Sequence, residues 1–293
     1  MPRTGGGNTL RNVITADFIS DQDGLKIATF AWPTDVEPAR GVVQIAHGLA
    51  EHSLRYARLA NALNAAGYHV GSTDHRGHGA TIVDTPGDFG AAGFEGLWQD
   101  VVQYGAILRA DHPGLHLYLI GHSMGSFATQ NLLLESSASY DGVVLSGSTA
   151  IDVMAATMGA APAGDLSAFN AGFENRTGYE WLTRDEAEVD LYVADPLCGF
   201  ALPAETTPAL FANGDRLSTP TSVRHDLPLF IISGSDDPLA GGGALVELLG
   251  QRYRAAGVED VTVKVYPQAR HEVFNETNRD EITADVVTWL QAH

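Results

Sequence analysis

The stretch "HLYLIGHSMGSFATQNLLLE", residues 116–135, sets an apolar, strand-like run directly against a helix-like run. The join is Gly121-His122-Ser123-Met124-Gly125, with one serine flanked two positions away on each side by glycine. A G-x-S-x-G turn between a strand and a helix has a specific use. It places a hydroxyl clear of the sheet at a helix N-terminus, where backbone N–H groups face a developing anion. The competing reading is packing, since glycines also let a helix start close to a strand. The surrounding chain decides between the two.

Working outward, strand-like and helix-like segments alternate. Upstream, "VITADFIS" and "LKIATFAW" flank Asp23-Gly24, which predicts a hairpin, and "GVVQIAH" is a continuous apolar run of the kind expected for a strand covered on both faces. In "YARLANALNAAG", Tyr56, Leu59, Leu63 and Ala66 recur at helical spacing before Gly67. There follow the strand "YHVGSTD", a helix over about residues 94–111, the quoted pair and the strand "GVVLSGS". Alternation resumes near residue 227 with "LPLFIISG", a helix over about 243–256, "VTVKVYP" and a last helix ending at Trp289 and Leu290. Such alternation predicts an α/β fold, a mostly parallel central sheet flanked by helices. Between 149 and 226 the rhythm breaks into Ala/Gly-rich pieces, scattered aromatics and prolines, which predicts an insertion above the sheet. The expected organisation is a core in two parts, 1–148 and 227–293, with residues 149–226 inserted.

Composition narrows the chemistry. The 293 residues carry 17 Lys+Arg against 36 Asp+Glu, a formal charge of −19, which disfavours nucleic acid and anionic lipid as partners. A single cysteine, Cys198, removes disulfides within the chain and cysteine-rich metal frames. The opening "MPRTGGGNTL" has no apolar stretch behind it and reads as a frayed tail, not a secretory signal. No run approaches the roughly 18 apolar residues of a membrane span. These features lead to the expectation of a cytoplasmic protein with no stable membrane association.

A serine at its free pKa is a poor nucleophile and needs a base oriented by an acid. In a sheet of this kind both follow the serine, on loops leaving later strands. "LPLFIIS" is followed by Gly234-Ser235-Asp236-Asp237-Pro238, and "VTVKVYP" by Gln268-Ala269-Arg270-His271-Glu272. His271 is therefore the expected base and either Asp236 or Asp237 its orienter. The expected oxyanion donors are the amides of Met124, next to the serine, and Leu49, in the loop "AHGLAEHSLRY" after an early strand. No cofactor is required. "DHRGHG" at 74–79, with His47 and His52 near in sequence, invites a metal reading, but glycines dominate the segment and no metal is assigned.

Taken in order, "HGLAEHSLRY", "DHRGHG", "GHSMG", "GSDD" and "ARHEVFNE" resemble the monoacylglycerol lipase/lysophospholipase-like branch of the α/β-hydrolase family. The resemblance covers about residues 10–150 and 227–290 and implies an α/β-hydrolase fold with an inserted cap. It selects Asp237 as the acid and implies that Glu51 and Arg55 line the alcohol side of the pocket, or else pair to hold the loops rigid. The resemblance also implies that the 74–79 loop is structural with Arg76 as its brace, and His122 is expected to pack and bond locally.

Within the insert, Ile151, Met154 and Met158 share a helical face, and Phe169, Phe173, Trp181 and Phe200 add bulk. Met154 and Met158 are candidates for the acyl pocket. The acidic "TRDEAEVDLYVADP" argues against work at a lipid surface and for small-molecule esters of short or medium chain, including monoacylglycerol-like substrates. Thioesterase, acyltransferase or C–C hydrolase chemistry would use the same residues, and a non-catalytic ligand-binding homologue is the remaining alternative. Serine at 123 argues against dehalogenase or epoxide hydrolase chemistry, which needs an aspartate there. Oligomeric state is left open.

Overall fold

A computed structural model describes residues 13–158 and 166–293; the tail at 1–12 lies outside the described residues. The first half of the chain forms β1 (Ile14–Ile19), β2 (Lys26–Trp32), β3 (Gly41–Ala46), α1 (Ala57–Ala65), β4 (Tyr68–Thr73), α2 (Gly93–Asp111), β5 (His116–His122), α3 (Met124–Ser136) and β6 (Gly142–Ser146). Among the described residues there follow the helices α4 (Ile151–Met158), α5 (Glu186–Ala194), α6 (Thr206–Phe211) and α7 (Gly214–Leu217). The chain closes with β7 (Leu229–Gly234), α8 (Ala244–Ala255), β8 (Val261–Tyr266) and α9 (Arg279–Ala292).

The sheet order is β1-β2-β4-β3-β5-β6-β7-β8. β1 and β2 are antiparallel to each other, as is β2 to β4, and every later pairing is parallel. This matches the mostly parallel sheet expected from the alternation. Residues of alternate register supply opposite faces. Val42, Leu117, Leu119, Val143, Leu145 and Ile231 pack with α2, α3 and α8, while Val43, Ile45, Ile120, Val144 and Ile232 pack with α1 and α9. Both faces are thus buried, which is why β3, β6 and β7 read as unbroken apolar runs. Gln44, the one polar residue in "GVVQIA", is satisfied by the Val101 carbonyl at 2.8 Å and the Tyr140 hydroxyl at 3.1 Å.

The hairpin at Asp23-Gly24 is longer than a tight turn. β1 stops at Ile19, and the Ser20 N–H donates to the Leu25 carbonyl across the loop at 2.8 Å. The physical reason is Arg76, fully buried, which takes Asp23 at 2.6 Å through Nη1, Ser20 at 2.7 Å through Nη2 and Asp100 at 2.6 Å through Nε. Loop residues that hold an internal guanidinium cannot also close a two-residue turn. Arg76 is therefore the brace expected of it.

Between β6 and β7 no strand occurs among the described residues, and the segment rides on the loop after β8. The His271 N–H donates to the Trp181 carbonyl at 3.3 Å and the Glu272 N–H to that of Leu182 at 2.7 Å. Arg184 pairs with fully buried Glu276 at 2.8 Å, Arg279 with Asp185 at 2.7 Å and Arg252 with Asp152 at 2.5 Å. These ties bring the helices between β6 and β7 over the C-terminal edge of the sheet, where ligands bind in open α/β folds.

Candidate active site

The turn at Ser123 is dictated by space. Gly125 runs against the end of β3, and a Cβ there would overlap the Ala46 carbonyl oxygen and lie 2.6 Å from that of His47. On Gly121 a Cβ would lie 2.7 Å from the Gly125 carbonyl oxygen. With both approaches closed to side chains, Ser123 takes φ 51° and ψ −120°, a conformation that costs a non-glycine residue about 1–3 kcal/mol. Its carbonyl accepts from the N–H groups of Ser126 and Phe127 at 2.8 and 3.0 Å, which starts α3. The strain holds the side chain at the N-terminal end of a thirteen-residue helix, aimed into a cavity of about 390 Å³.

His271 lines the same cavity and is buried. Its Nδ1 lies 2.9 Å from Asp237 Oδ2. The Asp237 carboxylate also accepts from the Ser233 hydroxyl at 3.0 Å and the Leu239 N–H at 2.9 Å. Burial opposes charge on both partners. Even so, the mutual attraction and hydrogen bond hold the Asp237 carboxyl below its ordinary value and carry the His271 imidazole above its own, with Glu272 and Glu51 adding to the latter. Asp236 points outward, exposed, and bonds to the Ser235 hydroxyl. Of the two aspartates left open by the residues alone, Asp237 is the one beside His271. Since Nδ1 is taken, Nε2 is the ring nitrogen left for proton transfer; neither it nor the Ser123 hydroxyl has a hydrogen bond among the described residues.

Leu49 and Met124 both line the cavity near Ser123. On either side of Leu49 the amides are occupied: the Gly48 N–H donates to Glu51 Oε1 at 2.5 Å and the Ala50 N–H to His78 Nε2 at 3.1 Å. The Leu49 N–H between them is uncommitted among the described residues. Met124 opens α3, so its amide belongs to the first, unpaired turn.

Glu51 lines the cavity, whereas Arg55 does not. Arg55 sits behind two carboxylates, bonding Glu51 Oε2 at 2.6 Å and Glu272 through both oxygens at 2.6 and 2.8 Å, with its guanidinium 4.8 Å from the Tyr192 ring centroid. The Tyr56 hydroxyl donates to Glu51 at 2.6 Å. Burial would raise Glu51, but Arg55, with His122 and His47, holds its carboxyl at about 2. The pairing alternative thus describes Arg55, which is committed to loop carboxylates. Glu272, unremarked in the sequence, is a second carboxylate on the cavity wall. Its partner is 217 residues away, so no local pattern marks it.

Met154 is buried and lines the cavity, as do Phe169 and Trp181; the Met158 side chain lies outside the described residues. Phe173 and Phe200 are used elsewhere. Phe173 lies under Arg270 at 4.7 Å and Phe200 against His78 at 5.4 Å. Further apolar wall comes from Phe127 of α3 and from Leu166, Leu202, Leu210 and Phe211, the last four placed by how the chain between β6 and β7 folds back. His122 bonds the Ser146 hydroxyl at 3.2 Å, and burial beside His271 takes it down to about 4, so it packs as a neutral ring.

For a metal, the nearest donor cluster among the described residues is His52, Asp195 and Cys198, with ligand atoms within 4.8 Å of one another. His52 already bonds Asp195 at 2.9 Å, tying the insert to the loop after β3, and burial pushes the Cys198 thiol up, away from thiolate. His47 and His78 each have both ring nitrogens hydrogen-bonded.

With this geometry described, comparison with known proteins identifies the relatives. The family model described as serine aminopeptidase, S33, matches residues 37–278. A monoacylglycerol lipase of Mycolicibacterium smegmatis is 33% identical over 92% of this chain and 94% of its own. A monoglyceride lipase of Mus musculus is 27% identical over 96% and 93%. Among solved structures, a highly thermostable carboxyl esterase from Bacillus coagulans in complex with glycerol superposes with a TM-score of 0.82 at 25% identity, covering 96% of this chain and 98% of that one. The chain belongs to the α/β-hydrolase family, in its monoacylglycerol lipase-like branch.

Proposed function

We propose that this carboxylic-ester hydrolase cleaves short- to medium-chain acyl esters of small neutral alcohols, monoacylglycerol-like substrates among them, through Ser123, His271 and Asp237. The observation that carries the reading is the buried His271–Asp237 bond at 2.9 Å on the wall of the cavity into which strained Ser123 projects. Ser123 Oγ attacks the ester carbonyl as His271 Nε2 takes its proton. The carbonyl oxygen becomes an oxyanion between the amides of Leu49 and Met124. Collapse expels the alkoxide, which receives the proton from His271, and water then hydrolyses the acyl-serine by the same route in reverse order. No cofactor enters these steps.

The cavity supports the substrate class. About 390 Å³ lies in the range of small-ligand sites. Its wall is apolar along Met154, Phe169, Trp181 and Leu210, suited to an acyl chain, and carries Glu51 and Glu272 close to Ser123, suited to alcohol hydroxyls. Two carboxylates against one guanidinium disfavour the phosphates of an acyl-CoA, which weighs against the thioesterase alternative. In this reading residues 149–226 form the cap and 1–148 with 227–293 the catalytic core.

The exposed apolar residues of the cap support a dissolved substrate over a lipid surface. Leu191 and Val193, at 64% and 50% exposure, are two positions apart on α5, hence on different sides of the helix, with exposed Asp190 beside them. Among the described residues no helix is long and apolar enough to cross a membrane. We place the enzyme in the cytoplasm without stable membrane association.

The test is hydrolysis of p-nitrophenyl esters from C2 to C16 and of matching monoacylglycerols and acyl-CoAs, by wild type and Ser123→Ala. The expected result is Ser123-dependent turnover peaking at short or medium chains, with acyl-CoAs poorest. A peak at long chains returns the lipid-surface role; turnover confined to acyl-CoA sinks the ester reading. Absence of both turnover and fluorophosphonate labelling of Ser123 makes the chain a binding protein.

A further inference from the structure

Two buried imidazoles outside the triad hold the backbone around Leu49. His47 Nδ1 lies 2.7 Å from the Gly48 carbonyl oxygen, and its Nε2 accepts the His75 N–H at 3.0 Å. His78 Nδ1 lies 2.8 Å from the Arg76 carbonyl oxygen, and its Nε2 accepts the Ala50 N–H at 3.1 Å. A ring nitrogen facing a carbonyl oxygen must carry the hydrogen, and one facing an N–H must not. Both rings are therefore neutral Nδ1–H tautomers. They are fully buried, with centroids 5.3 Å apart.

The covalent geometry turns these bonds into an aiming device. The Gly48 carbonyl and the Leu49 N–H belong to one planar peptide, trans here, so they point in opposite directions. Fixing the carbonyl from behind fixes where the Leu49 N–H points in front, and hydrogen bonding to the carbonyl also polarises that N–H. The next peptide holds the Ala50 N–H, which His78 fixes. Ala50 itself has φ 54°, and its carbonyl accepts from the Tyr192 hydroxyl at 2.9 Å and the Gly199 N–H at 3.0 Å.

We propose that His47 and His78 are positioning residues for the reaction: one as a donor behind the Gly48–Leu49 peptide, the other as an acceptor on the Leu49–Ala50 peptide, together aiming the Leu49 amide at the oxyanion. This rests on the reading of Leu49 as an oxyanion donor. Burial keeps both rings neutral, His78 at about 3, so the tautomers persist across the working range.

The two sites need opposite chemistry, which makes the proposal testable by crossed rescue. An asparagine amide nitrogen can stand in for Nδ1–H, and a glutamine amide oxygen for Nε2. At position 47 the donor matters, so His47→Asn should recover most of kcat and His47→Gln should not. At position 78 the acceptor matters, so His78→Gln should recover and His78→Asn should not. The failing member of each pair should lose roughly 10- to 100-fold in kcat, less than outright loss of an oxyanion donor, with KM little changed. Near-UV circular dichroism identifies folded variants, and if one pair misfolds the other decides. Equal losses within a folded pair, or losses carried by KM, overturn the proposal. Wild type that neither turns over esters nor labels with fluorophosphonate at Ser123 overturns the underlying reading instead, and the two failures are told apart.

Discussion

The turn at Ser123 and the segment from 180 to 199 meet at the same cavity but are built in opposite ways. The turn is made by backbone: a serine at φ 51° between glycines that touch neighbouring carbonyls, with contacts inside a window of a few residues or to the adjoining strand. Among the described residues the segment from 180 to 199 has only three backbone bonds to the core loops, from the N–H groups of His271, Glu272 and Gly199. It is otherwise held by side chains acting over long sequence distances, through Arg184–Glu276, Arg279–Asp185, His52–Asp195 and Arg58–Glu188. Backbone geometry tolerates almost no substitution and changes little with conditions. Ion pairs that are partly exposed are individually weak and screened by salt. The chemistry is thereby put on the rigid part, and access to it on the part that can be retuned one residue at a time.

The sharpest way to break this contrast is one substitution at the serine turn and one in the chain between β6 and β7 that leads into the second segment. Gly125→Ala drives a Cβ into the Ala46 carbonyl and should cost more than about 3 kcal/mol, enough to threaten folding outright. Gly172→Ala, at φ 98° with nothing within 4 Å of the new methyl, should cost about 1–2 kcal/mol from conformation alone and leave catalysis intact. Urea unfolding midpoints measure both. Equal midpoints would mean that the turn is not packed as described.

A second comparison separates adjacent residues. Asp237→Asn should lower kcat about 10⁴-fold, because the amide favours the wrong imidazole tautomer, while Asp236→Asn should stay within about twofold. Steady-state rates on one p-nitrophenyl ester suffice. Losses of similar size would mean that the exposed carboxylate shares the role.

A smaller effect tests the tie between insert and core. Glu276 is fully buried and accepts from Arg184 Nε and from the N–H groups of Arg184, Arg270 and Thr277. Arg184→Ala leaves that carboxylate without its cation in the loop four residues past Glu272. We expect a loss of about 1–3 kcal/mol in stability and roughly a tenfold fall in kcat/KM, through loosened placement of the His271 loop. An unchanged kcat/KM would show that the insert rests on the loop without positioning it.

The same contrast explains what could be read in advance. Continuous apolar runs revealed β3, β6 and β7 because both sheet faces are covered, and the serine turn was legible because its glycines sit at a strand–helix join. His271 was legible by its place after β8. Asp236 and Asp237 were indistinguishable by residue type, since the difference is which side of one turn each side chain leaves. The pairing of Glu272 and Glu276 left no mark in the sequence because their partners, Arg55 and Arg184, lie far away in it. The hairpin at Asp23-Gly24 was legible, but not the length of its loop, because Arg76, which Asp23 and Ser20 hold, lies at another strand's end. Local pattern reports what the backbone decides; long-range charge pairing leaves no local trace.

The mildest prediction concerns proton uptake. The proposed mechanism needs His271 neutral to accept the Ser123 proton, so kcat/KM should fall as pH drops through the His271 pKa. Burial depresses that value, but Asp237 and then Glu272 and Glu51 favour the imidazolium and carry it above the ordinary imidazole range. The acid limb should accordingly lie above about pH 6.5. Removing one negative charge without removing bulk isolates the contribution of the cavity wall. In Glu272→Gln the imidazolium loses an attractive partner, its pKa falls, and the acid limb moves to lower pH, so activity below neutrality rises relative to the plateau. The plateau itself can drop, because Arg55 loses its bidentate partner, but a plateau change cannot mimic a displaced limb. A limb that stays fixed would mean that the Arg55 charge cancels Glu272 at the ring, and one displaced to higher pH would overturn the attraction between Glu272 and the imidazolium.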